Sequence, residues 1–439
     1  MLASLLVGCA GGSDGAADGG GASGDAGGSA DSAPGTADAP GGPAGAPRPI
    51  APLATAMVTS ARPTLHWQLG AASVGASVEL CRDAAMSDSC QSFVAGGASG
   101  APPDALAPGV WFWRLHGVNA DGVGPDAGPV WQFRVGVQPP GTRVSTSYGS
   151  SVDVNGDGYT DLLVSAPDAS VGGDQGRLFI YLGSATGFPD EPSFTLLPPE
   201  TAVAGDHFPS PIADAGDING DGFTDVIVGR MAYNTLGTAG TVHIYYGSAD
   251  GPGEAVPMTS DIAGWGVGID GVGDVNGDGY GDVLIGAEPA GAYVYHGGPD
   301  GLSATPATTL IIYDETWGSM VSRAGDVNGD GYGDFVVRSS STGSPPNFPD
   351  SMVTQLYVGG PGGVPVYPSF QLSAQPSDIA CGGDINGDGY SDILFGEDNA
   401  YGGQFRVAYG KAYINAMTLE SLVHEDINHW WDFGAHIAG

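Results

Sequence analysis

The chain has 439 residues, a length that accommodates two or three domains. Lys and Arg number 12 against 49 Asp and Glu, a formal charge of -37. Such a chain builds no basic face to neutralise phosphates, which excludes a nucleic-acid partner, and it favours cations.

The chain opens MLASLLVGCAGGSDG. Leu6-Val7-Gly8-Cys9 resembles the lipobox of bacterial lipoproteins, in which the Cys becomes the acylated first residue. That resemblance implies lipidation of Cys9, export, and a place at the outer membrane or cell surface through a lipid anchor. Only eight residues precede Cys9 and none is basic, so residues 1–9 read as a truncated signal; the alternative is a chance apolar start. Residues 10–47 are dominated by Gly, Ala, Ser, Asp and Pro, with no aromatic, Lys or Arg. They cannot bury enough apolar surface to offset chain entropy, and they read as a disordered tether. No stretch of about 20 apolar residues occurs elsewhere.

Residues 48–137 hold Trp67, Trp111, Trp113 and Trp131. Segments such as TLHWQL, SVELCRD, VWFWRLHGV and VWQFRVG alternate apolar and polar residues between Gly/Pro/Asp turns, which predicts a small antiparallel β-sandwich. The run LAPGVWFWRLHGVNADGVGP resembles the late strands of a fibronectin type III domain. The tryptophans read as core, with a sugar-binding surface as the other possibility. Cys81 and Cys90, nine residues apart, can clip a hairpin in an oxidising compartment, or remain two unpaired thiols. Cys381 has no evident partner and reads as a small core residue.

From residue 141 a nine-residue unit recurs. DVNGDGYTD starts at Asp153, and near-copies start at Asp217, Asp274, Asp326 and Asp384. Positions 1, 5 and 9 are Asp, position 3 is Asn and position 7 is aromatic in all five. Oxygen ligands at 1, 3, 5 and 9, with a main-chain carbonyl at 7, make a cage for a hard cation, and the pattern matches the first nine residues of an EF-hand loop. All-oxygen ligands without His or Cys select calcium over zinc or copper. Position 12 is Val, Ile or Phe rather than Glu, and the continuations DLLVSAP, DVIVGRM, DVLIGAE, DFVVRSS and DILFGED read as buried strands, so no EF-hand helix follows. The alternative is Asx-rich turns without metal, in which three crowded Asp would repel one another.

The copies are spaced by 52 to 64 residues with four strand-like segments per unit, which predicts a propeller. YGSSVDVNGDGYTDLLVSAP, from Tyr148 to Pro167, resembles the FG-GAP repeat of the integrin alpha-chain β-propeller. Residue-by-residue transfer implies about five calcium sites. They are Asp153, Asn155, Asp157, Tyr159 and Asp161; Asp217, Asn219, Asp221, Phe223 and Asp225; Asp274, Asn276, Asp278, Tyr280 and Asp282; Asp326, Asn328, Asp330, Tyr332 and Asp334; and Asp384, Asn386, Asp388, Tyr390 and Asp392. Copy one is about four residues short before its loop, and copies two and four read GRM and RSS at the GAP position. FGAHIAG, at Phe433 to Gly439, matches the start of a sixth repeat. Residues 141–439 are therefore expected to form an all-β propeller of about five blades from a ring of six or seven.

The leading functional expectation is a non-enzymatic, calcium-stabilised cell-surface binding or adhesion lipoprotein, with an unknown protein or glycan ligand on the face opposite the loops, around 231–238 and 339–350. A polysaccharide-binding propeller is the alternative, with Tyr233, Phe348 and Tyr401 as weak pointers. The accessory part of a secreted hydrolase is the third. Gly-x-Ser-x-Gly occurs only as Gly11-Gly12-Ser13-Asp14-Gly15 in the tether, where no strand leads into a nucleophile elbow, and no His-Glu-x-x-His or phosphate-cradling loop appears.

Overall fold

A computed structural model describes residues 5–6, 43–52, 56–58, 61–135, 152–157, 159–167, 176–184, 186–198, 208–230, 239–287, 291–310, 316–340, 353–372, 376–383, 385–386, 390–397, 404–414, 417 and 419–422. All its regular elements are β-strands. Cys9, the 10–42 part of the tether, Tyr233, Phe348, Tyr401 and the FGAHIAG segment lie outside the described residues.

Residues 48–135 form two facing sheets. One orders Arg48–Ala51, Leu65–Gln68 and Ser99–Gly100. The other orders Ala56–Val58, Trp131–Val135, Gly109–Asn119, Gly75–Cys81 and Gln91–Gly96, with Gly122–Ala127 paired to Gly109–Asn119. Its pairs are antiparallel except Ala56–Val58, which runs parallel to Trp131–Val135. Strand alternation sends Trp67, Trp113, Trp131, Phe133 and Leu115 into one core, where each is buried to 1% or less. Trp113 and Trp131 meet edge to face at 6.4 Å. The tryptophans are therefore core, and no sugar platform is built from them. A disulfide joins Cys81 to Cys90 across the turn between adjacent strands.

Five four-stranded antiparallel sheets follow, one for each nine-residue unit. Blade two is Ile212–Gly216, Asp225–Arg230, Ala239–Tyr245 and Val256–Ala263, and blade three is Trp265–Gly273, Asp282–Ala287, Gly291–Tyr295 and Thr308–Leu310. Blade four is Thr316–Gly325, Asp334–Ser340, Val353–Tyr357 and Phe370–Leu372, and blade five is Asp378–Gly383, Asp392–Glu397, Gln404–Ala408 and Leu419–Leu422. The second strand of blade three, Asp282–Ala287, is buried on both faces, as its β-branched run requires. First strands of successive blades pack on one another from blade two to blade five, which places them on the inside. Arg323 there pairs with Asp270 at 2.7 Å and Asp214 at 2.9 Å, tying the inner strands of blades two, three and four. Cys381 is a buried cysteine outside the disulfide, on the inner strand of blade five.

Blade one departs from the expected chain order. Its second to fourth strands are Leu162–Ala166, Arg177–Tyr181 and Phe194–Leu196, but Leu5–Leu6 supplies the first, with Leu5 opposite Val164. The segment just before Asp153 is four residues short, and the described Val152 and Asp153 form no strand.

Candidate metal-loop face

The first strand of each of blades two to five ends in a register shift just ahead of its loop: at Asp214/Gly216, Gly271/Gly273, Arg323/Gly325 and Cys381/Gly383. The glycines sit at φ values from 62° to 74°, the left-handed region that a bulge needs and that glycine occupies without strain. The Asp that follows the bulge in blades two, three and four (Asp217, Asp274 and Asp326) is buried. Copy one has Val152 at this place.

Loop three shows the arrangement. Asp274 Oδ1 accepts N–H from Gly277 at 2.6 Å and Asp278 at 3.1 Å, and its Oδ2 accepts from Gly279 at 2.7 Å. Asn276 accepts from Asp278 N–H and donates its amide to Asp278 Oδ2, both at 2.9 Å. The Tyr280 N–H donates to Asp278 Oδ1 at 3.1 Å. Asp282 accepts from Val275 at 2.9 Å and from Gly297, just past the third strand, at 3.0 Å. Loops two and four repeat this scheme. In loops one and five the position-9 residues Asp161 and Asp392 staple the same two places. Asp384 and Asp388 of loop five lie outside the described residues, while Asn386 and Tyr390 are within them.

The loops also join neighbouring blades. The carbonyls of Asp153, Asp217, Asp274 and Asp326 accept N–H from Thr224, Gly281, Gly333 and Ser391, the residues before position 9 in the next loop. The next residues, Val154, Ile218, Val275 and Val327, accept from Ser248, Gly298, Gly360 and Lys411 of the following blade. The position-7 ring of each following loop lies over the position-4 glycine of the one before. A Cβ on Gly156, Gly220, Gly277 or Gly329 would meet Phe223, Tyr280, Tyr332 or Tyr390 at 2.5 to 2.7 Å. The sequence signal for this contact is an aromatic residue at position 7 and a Gly at position 4 in all five copies.

Electrostatics set these loops apart. Asp225, Asp282 and Asp334 have pKa values well above the ordinary 3.8, first because they are buried and then because of the neighbouring loop carboxylates. Burial and the position-5 charge push Asp274 and Asp326 up to about 7, and burial raises Asp217 to about 6. Asp161 rises to about 7, from burial first and then the charges of Asp153 and Asp157. No Lys or Arg pairs with Asp274 or Asp282 among the described residues. Also among the described residues, no three His, Cys, Asp or Glu side chains converge as a formed metal cage. The carboxylates accept loop N–H groups instead. The donor set still fits a hard cation: three carboxylates and one amide oxygen per nine residues, held at low dielectric, with a charge excess that an added cation would relieve.

The sandwich rests on this face. Trp131–Val135 points Trp131, Phe133 and Val135 into its own core and Gln132 and Arg134 the other way. The outward pair is buried, at 3% and 7% exposure, against the loops. Gln132 donates to Asp217 Oδ2 at 2.5 Å. Arg134 pairs with the Asp153 carboxylate and donates to the carbonyls of Asp153 and Gly222. Arg48 donates to the Asp330 carbonyl and stacks 4.2 Å over the Tyr332 ring.

The FG-GAP-like repeat family matches residues 153–228, 217–285 and 274–337. Integrin alpha-4 of Xenopus laevis is 36% identical over 157 residues, 34% of this chain and 15% of that protein. Integrin alpha-3 of Mus musculus is 34% identical over 165 residues, 34% of the chain and 14% of that protein. Integrin alpha-PS2 of Drosophila melanogaster is 26% identical over 286 residues, 54% of the chain and 20% of that protein. The chain thus spans a fifth or less of the length of these relatives. The matched repeats and the antiparallel sheet pattern together support an all-β, integrin-like FG-GAP propeller fold for the repeat region.

Proposed function

We propose that this chain is a non-enzymatic, calcium-stabilised binding or adhesion propeller, carried at the cell surface by a lipid on Cys9; acylation there would remove Leu5–Leu6 and open the first-strand position of blade one. One observation carries the calcium reading: loops two, three and four each bury two carboxylates of raised pKa beside a third, as with Asp274, Asp278 and Asp282. A divalent ion at such a loop would convert that repulsion into attraction and brace the blade-to-blade bonds made by the same residues. Asp, Asn and position-7 carbonyl oxygens would hold it, and its contribution would be structural.

Similarity to integrin alpha chains supports a binding role at the cell surface. Because the sandwich contacts loops one, two and four, the protein or glycan ligand is assigned to the opposite face. The test presents the immobilised full chain with purified surface proteins and extracellular polysaccharides. Binding that is lost on calcium chelation supports the reading. Turnover of any polysaccharide that survives chelation refutes the non-enzymatic assignment. Labelled fatty acid incorporated by the chain, and lost in Cys9→Ala, checks the anchor.

A further inference from the structure

We propose that Arg134 of the sandwich is a built-in cation for loop one, and that it keeps a divalent ion out of that loop while the two domains are docked. The inference rests on the calcium reading of the other loops. Three oxygens from two blades surround the guanidinium: the Asp153 carboxylate, the Asp153 carbonyl and the Gly222 carbonyl. Asp153 is fully buried and Arg134 is 7% exposed, so the pair is shielded from water. An oxygen cage around a buried positive charge is the chemistry that the calcium hypothesis assigns to the loops, here satisfied from within the chain.

Among the described residues, no Lys or Arg pairs with the position-1 carboxylate of loops two, three or four. Loop two meets the neutral amide of Gln132, and loop four meets Arg48 through the Asp330 carbonyl and the Tyr332 ring, with no ion pair to its position-1 or position-9 carboxylates among the described residues. Loop three receives no sandwich cation among the described residues. Loop one is also the loop whose blade lacks the glycine bulge, with Val152 in its place. A guanidinium and a calcium ion would claim the same Asp153 carboxylate. Docking at loop one and ion binding there therefore compete, and the sandwich becomes a latch whose hold depends on the ion concentration.

Native mass spectrometry of the full chain in millimolar calcium tests this by counting ions. Arg134→Met is expected to bind one more ion than wild type, and small-angle scattering is expected to show it more extended. In wild type, Asp274→Asn should remove one ion, whereas Asp153→Asn should remove none; this comparison stands even if Arg134→Met fails to fold. An equal, non-zero count in wild type and Arg134→Met, or a loss of one ion in Asp153→Asn, overturns the inference alone. No bound ion in any of these proteins would remove the calcium reading and this inference with it.

Discussion

Gly220→Ala probes the contact that links each loop to the next. Gly220 sits at φ 74°, and an added Cβ would lie 2.7 Å from Cε1 and 3.2 Å from Cδ1 of Tyr280. The left-handed conformation costs an alanine about 1 kcal/mol. Forcing the Tyr280 ring aside adds about 1–3 kcal/mol, the range for overpacking a close contact. Together they lower stability by about 2–4 kcal/mol, and each kcal/mol lowers the Tm of a domain this large by about 2–4 °C. Thermal unfolding of the full chain, read at the propeller transition, measures the loss. The same substitution in a Tyr280→Ala background should keep only the backbone part, so the two changes couple by about 1–3 kcal/mol. Equal losses in both backgrounds would refute the ring-over-glycine contact, and a neutral Gly220→Ala would refute the loop geometry as well.

Other perturbations separate charge from packing. Asp278→Asn removes a like charge beside Asp274 and Asp282 and also a proposed ligand. It should stabilise the calcium-free protein by about 1 kcal/mol, a Coulomb figure discounted for the exposure of Asp278, while shrinking the rise in Tm on adding calcium. With calcium chelated, the raised pKa values of Asp161, Asp217, Asp274 and Asp326 mean that the folded state binds more protons than the unfolded state above the ordinary 3.8. Stability should therefore rise as the pH falls from ~8 to ~5, and millimolar calcium should reverse the trend because protons then compete with the ion; urea midpoints across that range check it. Arg323→Met strands Asp214 and Asp270 without their shared cation and should cost about 3–5 kcal/mol in urea unfolding, with part of the loss recovered by adding Asp270→Asn.

The blades were legible because their loops are written almost identically five times and the β-branched runs after each Asp leave no other structure. The sandwich core was legible from strict alternation around Trp113 and Trp131. The blade-to-blade bonds were not, because they join residues more than 50 apart through backbone atoms, which carry no sequence signature. Gln132 and Arg134 look like ordinary outward residues of an alternating strand; only the placement of a second domain against them turns that face into an interface. The use of Leu5–Leu6 as the first strand of blade one was equally hidden, since an apolar start followed by Cys9 reads first as a signal. The inner Asp214–Arg323–Asp270 cluster gathers single residues of three different repeats, and no periodicity announces it.

The most direct test of the braced propeller is scanning calorimetry of the full chain in millimolar calcium and after chelation, with bound ions counted on the same sample. Each site held at ~100-fold its Kd adds ~2.7 kcal/mol, so several loops acting together should raise the propeller transition by many degrees, with four or five ions bound. A transition that stays in place, with no ion bound, would contradict the account and leave the five loops as metal-free turns.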